Sequence, residues 1–111
     1  MSEYHEFTPK VEEILGKTDL IADADAIIYK LRIMTTFAEK CNLRSLFRSI
    51  ESIALLHAYI LDKLTAAATE GRISFKEIDL VNHELRKISD KYKETIIRIF
   101  KEKCTCRPRE E

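Results

Sequence analysis

Ile53-Ala54-Leu55-Leu56-His57-Ala58-Tyr59-Ile60-Leu61 runs for nine residues without a charge in the middle of a long helical pattern. A surface helix normally pairs one apolar stripe with one polar face. Here apolar residues go nearly all the way round. That predicts the central helix of a bundle, with part of its cover supplied by a partner chain.

The punctuation on either side of this stretch marks further helices. Thr8-Pro9 predicts an N-cap followed by proline at the first helical position, and Gly16 the end of a short first helix. Asp19 is expected to cap a second helix reaching about Cys41, with Asn42 as its left-handed stop. The third helix reads as Leu43 to Glu70, closed by Gly71. Ser74-Phe75-Lys76-Glu77 is a capping box opening a fourth helix that extends to about Lys103. On this reading residues 1–103 form one helical domain, and residues 104–111, with Pro108 and several charges, a flexible charged tail.

Apolar spacing supports the same division. Leu20, Ala24, Ile27, Leu31, Met34, Ala38 and Cys41 alternate steps of four and three. Leu43, Leu46, Ile50, Ile53, His57, Ile60, Leu64 and Ala67 do so in the third helix, and Ile78, Val81, Leu85, Ile88, Tyr92, Thr95 and Ile99 in the fourth. Three heptad seams joined by short connections predict an all-α fold: an antiparallel bundle of three long helices with a short N-terminal helix. No apolar/polar alternation is long enough to suggest a strand.

Each long helix also carries a second apolar edge. Phe47, Ala54, Leu61 and Ala68 form one in the third helix; Ile96, Ile97 and Phe100 widen the fourth. A two-turn first helix cannot cover them all. Phe47, Ala54, Leu61, Ile96 and Phe100 are therefore the expected interface of a homodimer, with another protein as the alternative partner.

The 19 basic and 19 acidic residues cancel, but parallel second and fourth helices would sort them by pole. Lys40, Arg44, Arg48, Arg98, Lys101, Lys103, Arg107 and Arg109 gather at one end; Asp19, Asp23, Asp25, Glu70, Glu77 and Asp79 gather at the other. Helix macrodipoles favour this arrangement without any ligand. The functional alternative is a nucleic-acid-associated accessory protein whose basic pole touches phosphate. The pole is not expected to interleave with exposed aromatics, as a single-strand stacking platform would require.

The same topology brings Cys41 towards Cys104 and Cys106, so a disulfide from Cys41 to either is a candidate. Three thiolates without a fourth ligand argue against zinc. No Gln and only two Asn, beside abundant Lys, Glu and Arg, is a lean shared with thermophile proteins, where intracellular disulfides are admissible. The first ten residues lack a secretory h-region and no apolar run is of membrane-spanning length, so the expected compartment is the cytoplasm, with no membrane partner.

Catalytic patterns are missing. There is no phosphate loop, nucleophile elbow, His-Glu-x-x-His or inward Glu-x-x-His pair, and Asp19, Asp23 and Asp25 lack the loop of a calcium site. The turn at Gly71 separates helices too long, and a start too acidic, for a helix-turn-helix. His57 is the sharpest single residue, a seam imidazole that needs a partner. Tyr92 and Thr95 are the expected partners, together forming a candidate ligand pocket. The reading is thus a non-enzymatic oligomerisation or protein-interaction module without cofactor, metal or catalytic residues. A ligand-binding or catalytic bundle centred on His57 is the second alternative.

Overall fold

The computed structural model describes residues 2–104. Four helices follow in order: α1 Pro9–Lys17, α2 Ile21–Glu39, α3 Leu43–Thr69 and α4 Phe75–Cys104. No strand occurs among the described residues. The helices form an antiparallel rod of 58 × 23 × 19 Å, the all-α bundle that the three seams predict.

One turn chemistry ends the first three helices. The backbone N–H of Leu20 donates to Leu15, that of Asn42 to Phe37, and that of Arg72 to Ala67. Each bond closes a Schellman-type stop around a left-handed residue: Asp19 (φ 59°), Cys41 (φ 57°) and Gly71 (φ 81°). Gly71 stands where expected, but the other two stops differ from the sequence reading. Gly16 lies inside α1, and Asp19 ends that helix instead of capping α2, whose N-cap is Leu20. Cys41 takes the left-handed position assigned to Asn42. Asn42 is then free to cap α3, its side chain accepting from Ser45 N at 3.1 Å. Asp and Asn serve both as αL stops and as N-caps, so composition alone does not separate the two uses in a two- or three-residue connection.

α4 opens on the expected capping box. Ser74 Oγ accepts from Glu77 N at 3.2 Å, and Glu77 Oε1 accepts from Ser74 N at 2.8 Å. That backbone bond, with Lys10 3.2 Å away, holds the Glu77 carboxyl below its ordinary pKa. Thr8 does precede Pro9, but its side chain does not cap α1: its N–H and Oγ donate to the carboxylate of Glu84 on α4.

The second helix, not the third, is central. α2 packs along both α3 and α4, whereas α3 and α4 meet each other sparsely and α1 lies over α2 and α4. Ala24, Ile27, Ile28, Leu31, Met34 and Ala38 are accordingly buried on several sides of α2. In α3, Ile53 and Ile60 face the core, but Leu55 is 73% exposed and Ala54, Ala58 and Tyr59 are open too. Much of any folded surface is apolar, so an uncharged run does not by itself require cover from all sides.

Two devices fasten the ends of the rod. Cys41 and Cys104 form a disulfide with Cα atoms 5.7 Å apart, which ties the C-termini of α2 and α4 together at one pole. Closing a span of 63 residues stabilises by about 4 kcal/mol in the chain-entropy account. The alternative bridge through Cys106 and the expected tail lie outside the described residues, apart from Cys104, which belongs to α4. The leading segment is strapped across the bundle: Ser2 Oγ donates to Asp25, Ser2 N to Glu12, and Phe7 is buried. No helix among the described residues is long and apolar enough to cross a membrane.

Candidate functional site

Because α3 and α4 both pack on α2 and only sparsely on each other, a cleft opens between them. Met34 of α2, with buried Leu46, Ile53 and Ile96, forms its floor. The α3 wall presents Leu43, Phe47, Ile50 and Ala54, one helical stripe at steps of four, three and four. The α4 wall presents Arg86, Asp90, Lys93, Ile97 and Phe100 on the stripe that faces it.

The cleft has two adjoining parts that share Met34, Ile50 and Lys93. The part towards the disulfide pole has a volume of about 420 Å³ and is lined by Leu43, Phe47, Ile50, Ile97 and Phe100. The other, about 300 Å³, is more polar, with His57, Arg86, Ser89 and Asp90 around Ala54. Leu43, Phe47, Ile50 and Ile97 are 47, 60, 42 and 55% exposed. Four large apolar side chains left half open on one face are a contiguous patch, not scattered surface residues.

His57 closes the far end of this cleft. Its Nε2 donates to Asn82 Oδ1 at 2.8 Å, and the ring is half-buried. The expected partners lie elsewhere. Tyr92 turns to the opposite side of α4, where its hydroxyl donates to Glu6 and accepts from Arg32 Nε at 3.1 Å. Thr95 bonds back to the Lys91 carbonyl within α4. The pocket of His57, Tyr92 and Thr95 is therefore not formed. α4 meets three helices, so its seam residues are divided among them, and the α3 side falls to Asn82 and not to Tyr92. Asn82, a lone amide flanking an apolar seam, was the available signal.

Tyr92 belongs instead to the strap. Arg32 pairs with Glu6 at 2.9 Å and lies 4.6 Å above the Tyr4 ring. Burial pushes the Tyr92 phenol up, and its bond to Glu6 adds to this. Burial would also raise Glu6, but hydrogen bonds from Tyr92 and Arg32 outweigh it and hold that carboxyl below its ordinary value.

Among the expected interface residues, Phe47, Ala54 and Phe100 line the cleft and Ile96 lies in its floor. Leu61 is half-buried against the core beyond His57. The sequence reading placed Leu43 and Ile50 in the α3 seam, and it named Ile97 in the second apolar edge of the fourth helix without counting it at the interface. The basic residues do collect at the disulfide pole: Lys40, Arg44, Arg48, Arg98, Lys101 and Lys103 are exposed around the ends of α2 and α4 and the start of α3. Arg44, Arg48 and Arg98 make no ion pair among the described residues. One exposed aromatic, Phe47, does stand between Arg44 and Arg48, contrary to expectation, but it forms a cleft wall. Arg107 and Arg109 lie outside the described residues.

No cluster of three or more His, Cys, Asp or Glu able to hold a metal occurs among the described residues. Comparison with known proteins finds no matching family model, no matching curated protein and no matching solved structure.

Proposed function

We propose that this chain is a non-enzymatic helical interaction module that works through the α3/α4 cleft. The observation that carries this reading is the row Leu43, Phe47, Ile50 and Ile97, half-exposed on facing walls over an apolar floor. The remaining groups on the cleft do not compose a reaction. His57 is paired with an amide carbonyl, no hydrogen bond joins it to Ser89 among the described residues, and Arg86, Asp90 and Lys93 lie on one open helical stripe. A surface of this kind is covered by apolar contact with a partner.

Light scattering over a concentration series, combined with titration of an apolar fluorescent dye, tests the reading. The cleft must show itself as a mass above the 13.0 kDa of one chain, or as dye binding by the monomer. Either signal is lost in Phe47→Glu/Ile97→Glu, which alters two exposed side chains and retains helicity. A monomer that binds no dye, or a signal that the double variant leaves intact, overturns the proposal.

A further inference from the structure

The α3/α4 cleft is tied at both ends, by bonds of different chemistry. At the far end His57 Nε2 on α3 donates to Asn82 Oδ1 on α4. At the pole the tie is the bridge between Cys41 and Cys104. Cys41 stands two residues before Leu43, where the α3 wall begins, and Cys104 stands about one turn after Phe100 of the α4 wall. The bridge therefore joins the roots of the two walls, beside the most apolar part of the cleft.

Other forces at this pole push the walls apart. Lys40, Arg44, Arg98 and Lys103 gather there, and none of the four makes an ion pair among the described residues. α2 and α4 end side by side, so the negative ends of two parallel macrodipoles adjoin. Cys41 itself holds a left-handed conformation, φ 57°, that few residues other than Gly, Asn and Asp adopt. The bond from Asn42 N–H to the Phe37 carbonyl closes that turn on α2, and the disulfide carries it across to α4. Both cysteines are half-buried, with Lys40, Asn42 and Lys103 exposed beside them. A thiol can reach a bridge so placed without unfolding the chain, and exposed bridges are the ones that exchange readily.

Resting on the reading of the cleft as an interaction surface, we infer that the Cys41–Cys104 bridge is a redox-sensitive clamp. Oxidised, it holds the two walls at the spacing that a partner meets; reduced, it releases the pole end of the cleft. The reductant is a dithiol. One of its thiolates attacks a sulfur of the bridge, forming a mixed disulfide and expelling the other cysteine as a thiolate. The second thiol of the reductant then displaces the remaining cysteine. One S–S bond breaks in the chain, one forms in the reductant, and two protons pass to Cys41 and Cys104. Ile96 is buried and Ile99 and Phe100 pack against the core, so α4 stays on the bundle. Release is confined to its last turn and to the turn between α2 and α3. Walls no longer held in place bind more weakly, because ordering them is added to the cost of association.

The test uses the full chain carrying Cys106→Ser, which removes exchange through the third thiol, first oxidised and then treated with dithiothreitol. Circular dichroism should show an unchanged helical signal. Amide hydrogen exchange should quicken at least about tenfold over residues 100–104 while Leu85 and Ile88 keep their protection. Association read by light scattering, or apolar-dye binding by a monomer, should weaken at least about fivefold on reduction. Cys41→Ser/Cys104→Ser should match the reduced chain with or without dithiothreitol. A bridge that is reduced only as the chain unfolds overturns the clamp, as does a reduced chain whose last turn keeps its protection or whose affinity is equal or greater. An oxidised chain that neither associates nor binds dye overturns the interaction reading itself, and the clamp's part in binding with it.

Discussion

Phe47→Ala is the substitution on which the energetics of association through the cleft turn. Phe47 is 60% exposed on the α3 wall. A phenylalanine side chain carries roughly 200 Å² of surface, so pairing removes about 120 Å² from water in each chain. At about 25 cal/mol per Å² this is about 3 kcal/mol per chain and about 6 kcal/mol per dimer. Alanine retains the β-carbon and neighbouring side chains refill part of the gap, so the expected loss is about 4 kcal/mol, or a dissociation constant raised about a thousandfold. The portion of Phe47 already covered in the monomer gives a smaller cost, about 2 kcal/mol, to folding itself. Sedimentation velocity over a dilution series separates the two effects, since dissociation is read while circular dichroism confirms that the chain remains folded. Leu55→Ala is the control. Leu55 is more exposed, at 73%, but lies on the outward side of α3 and not on the cleft. The reasoning is refuted if Phe47→Ala weakens association by less than tenfold, or if Leu55→Ala weakens it equally.

Three further outcomes follow from the fold. Cys41→Ser opens the bridge to Cys104 and should lower stability by about 4 kcal/mol in denaturant titration, with reductant then having no further effect. Since Glu6 is held below its ordinary value in the folded chain, its contribution is present above the unfolded pKa of about 4.5 and is lost as pH falls through the folded value. Tyr92→Phe should flatten that acid limb of the stability curve and cost about 1 kcal/mol at neutral pH. Ser74→Ala removes one side of the capping box and should cost about 1 kcal/mol in thermal or denaturant unfolding.

The elements were legible because each long helix has an unbroken three-four apolar repeat and because Gly71, Pro9 and the capping box at Ser74 punctuate them. The approach of Cys41 to Cys104 was legible from topology alone, since parallel α2 and α4 must end at one pole. Which helix is central was not. Charge-free sequence in α3 suggested burial, but burial depends on how many neighbours a helix has. α2, although it carries Asp23, Asp25, Lys30 and Arg32, packs along both other long helices, whereas α3 and α4 meet each other sparsely. Once α2 is the hub, α3 and α4 become its flanks, and the residues that face across them, Leu43, Ile50 and Ile97, pass from presumed core or edge to the walls of an open cleft. The strap was also hidden. Glu6, Arg32 and Tyr92 are distant in sequence and belong to no periodic pattern, so only the folded chain shows them as one cluster.

The bond between His57 and Asn82 connects the stability of the monomer to the geometry of the cleft. Either side chain alone would leave a half-buried polar group without its partner, so His57→Leu or Asn82→Leu should each cost about 1–3 kcal/mol. The double variant replaces both with apolar surface and should cost less than the sum, a coupling that a double-mutant cycle in denaturant reads directly. Stability and association should then part company. A half-buried polar pair of this kind fixes register more than it adds energy, and here the register sets the two walls of the cleft against each other. With leucines in both positions α3 can slide on α4 while the core remains packed, so the double variant should fold nearly as well as wild type and yet pair at least tenfold less tightly. If it pairs as tightly as wild type, the hydrogen bond is a structural contact only, and the geometry of the cleft does not depend on it.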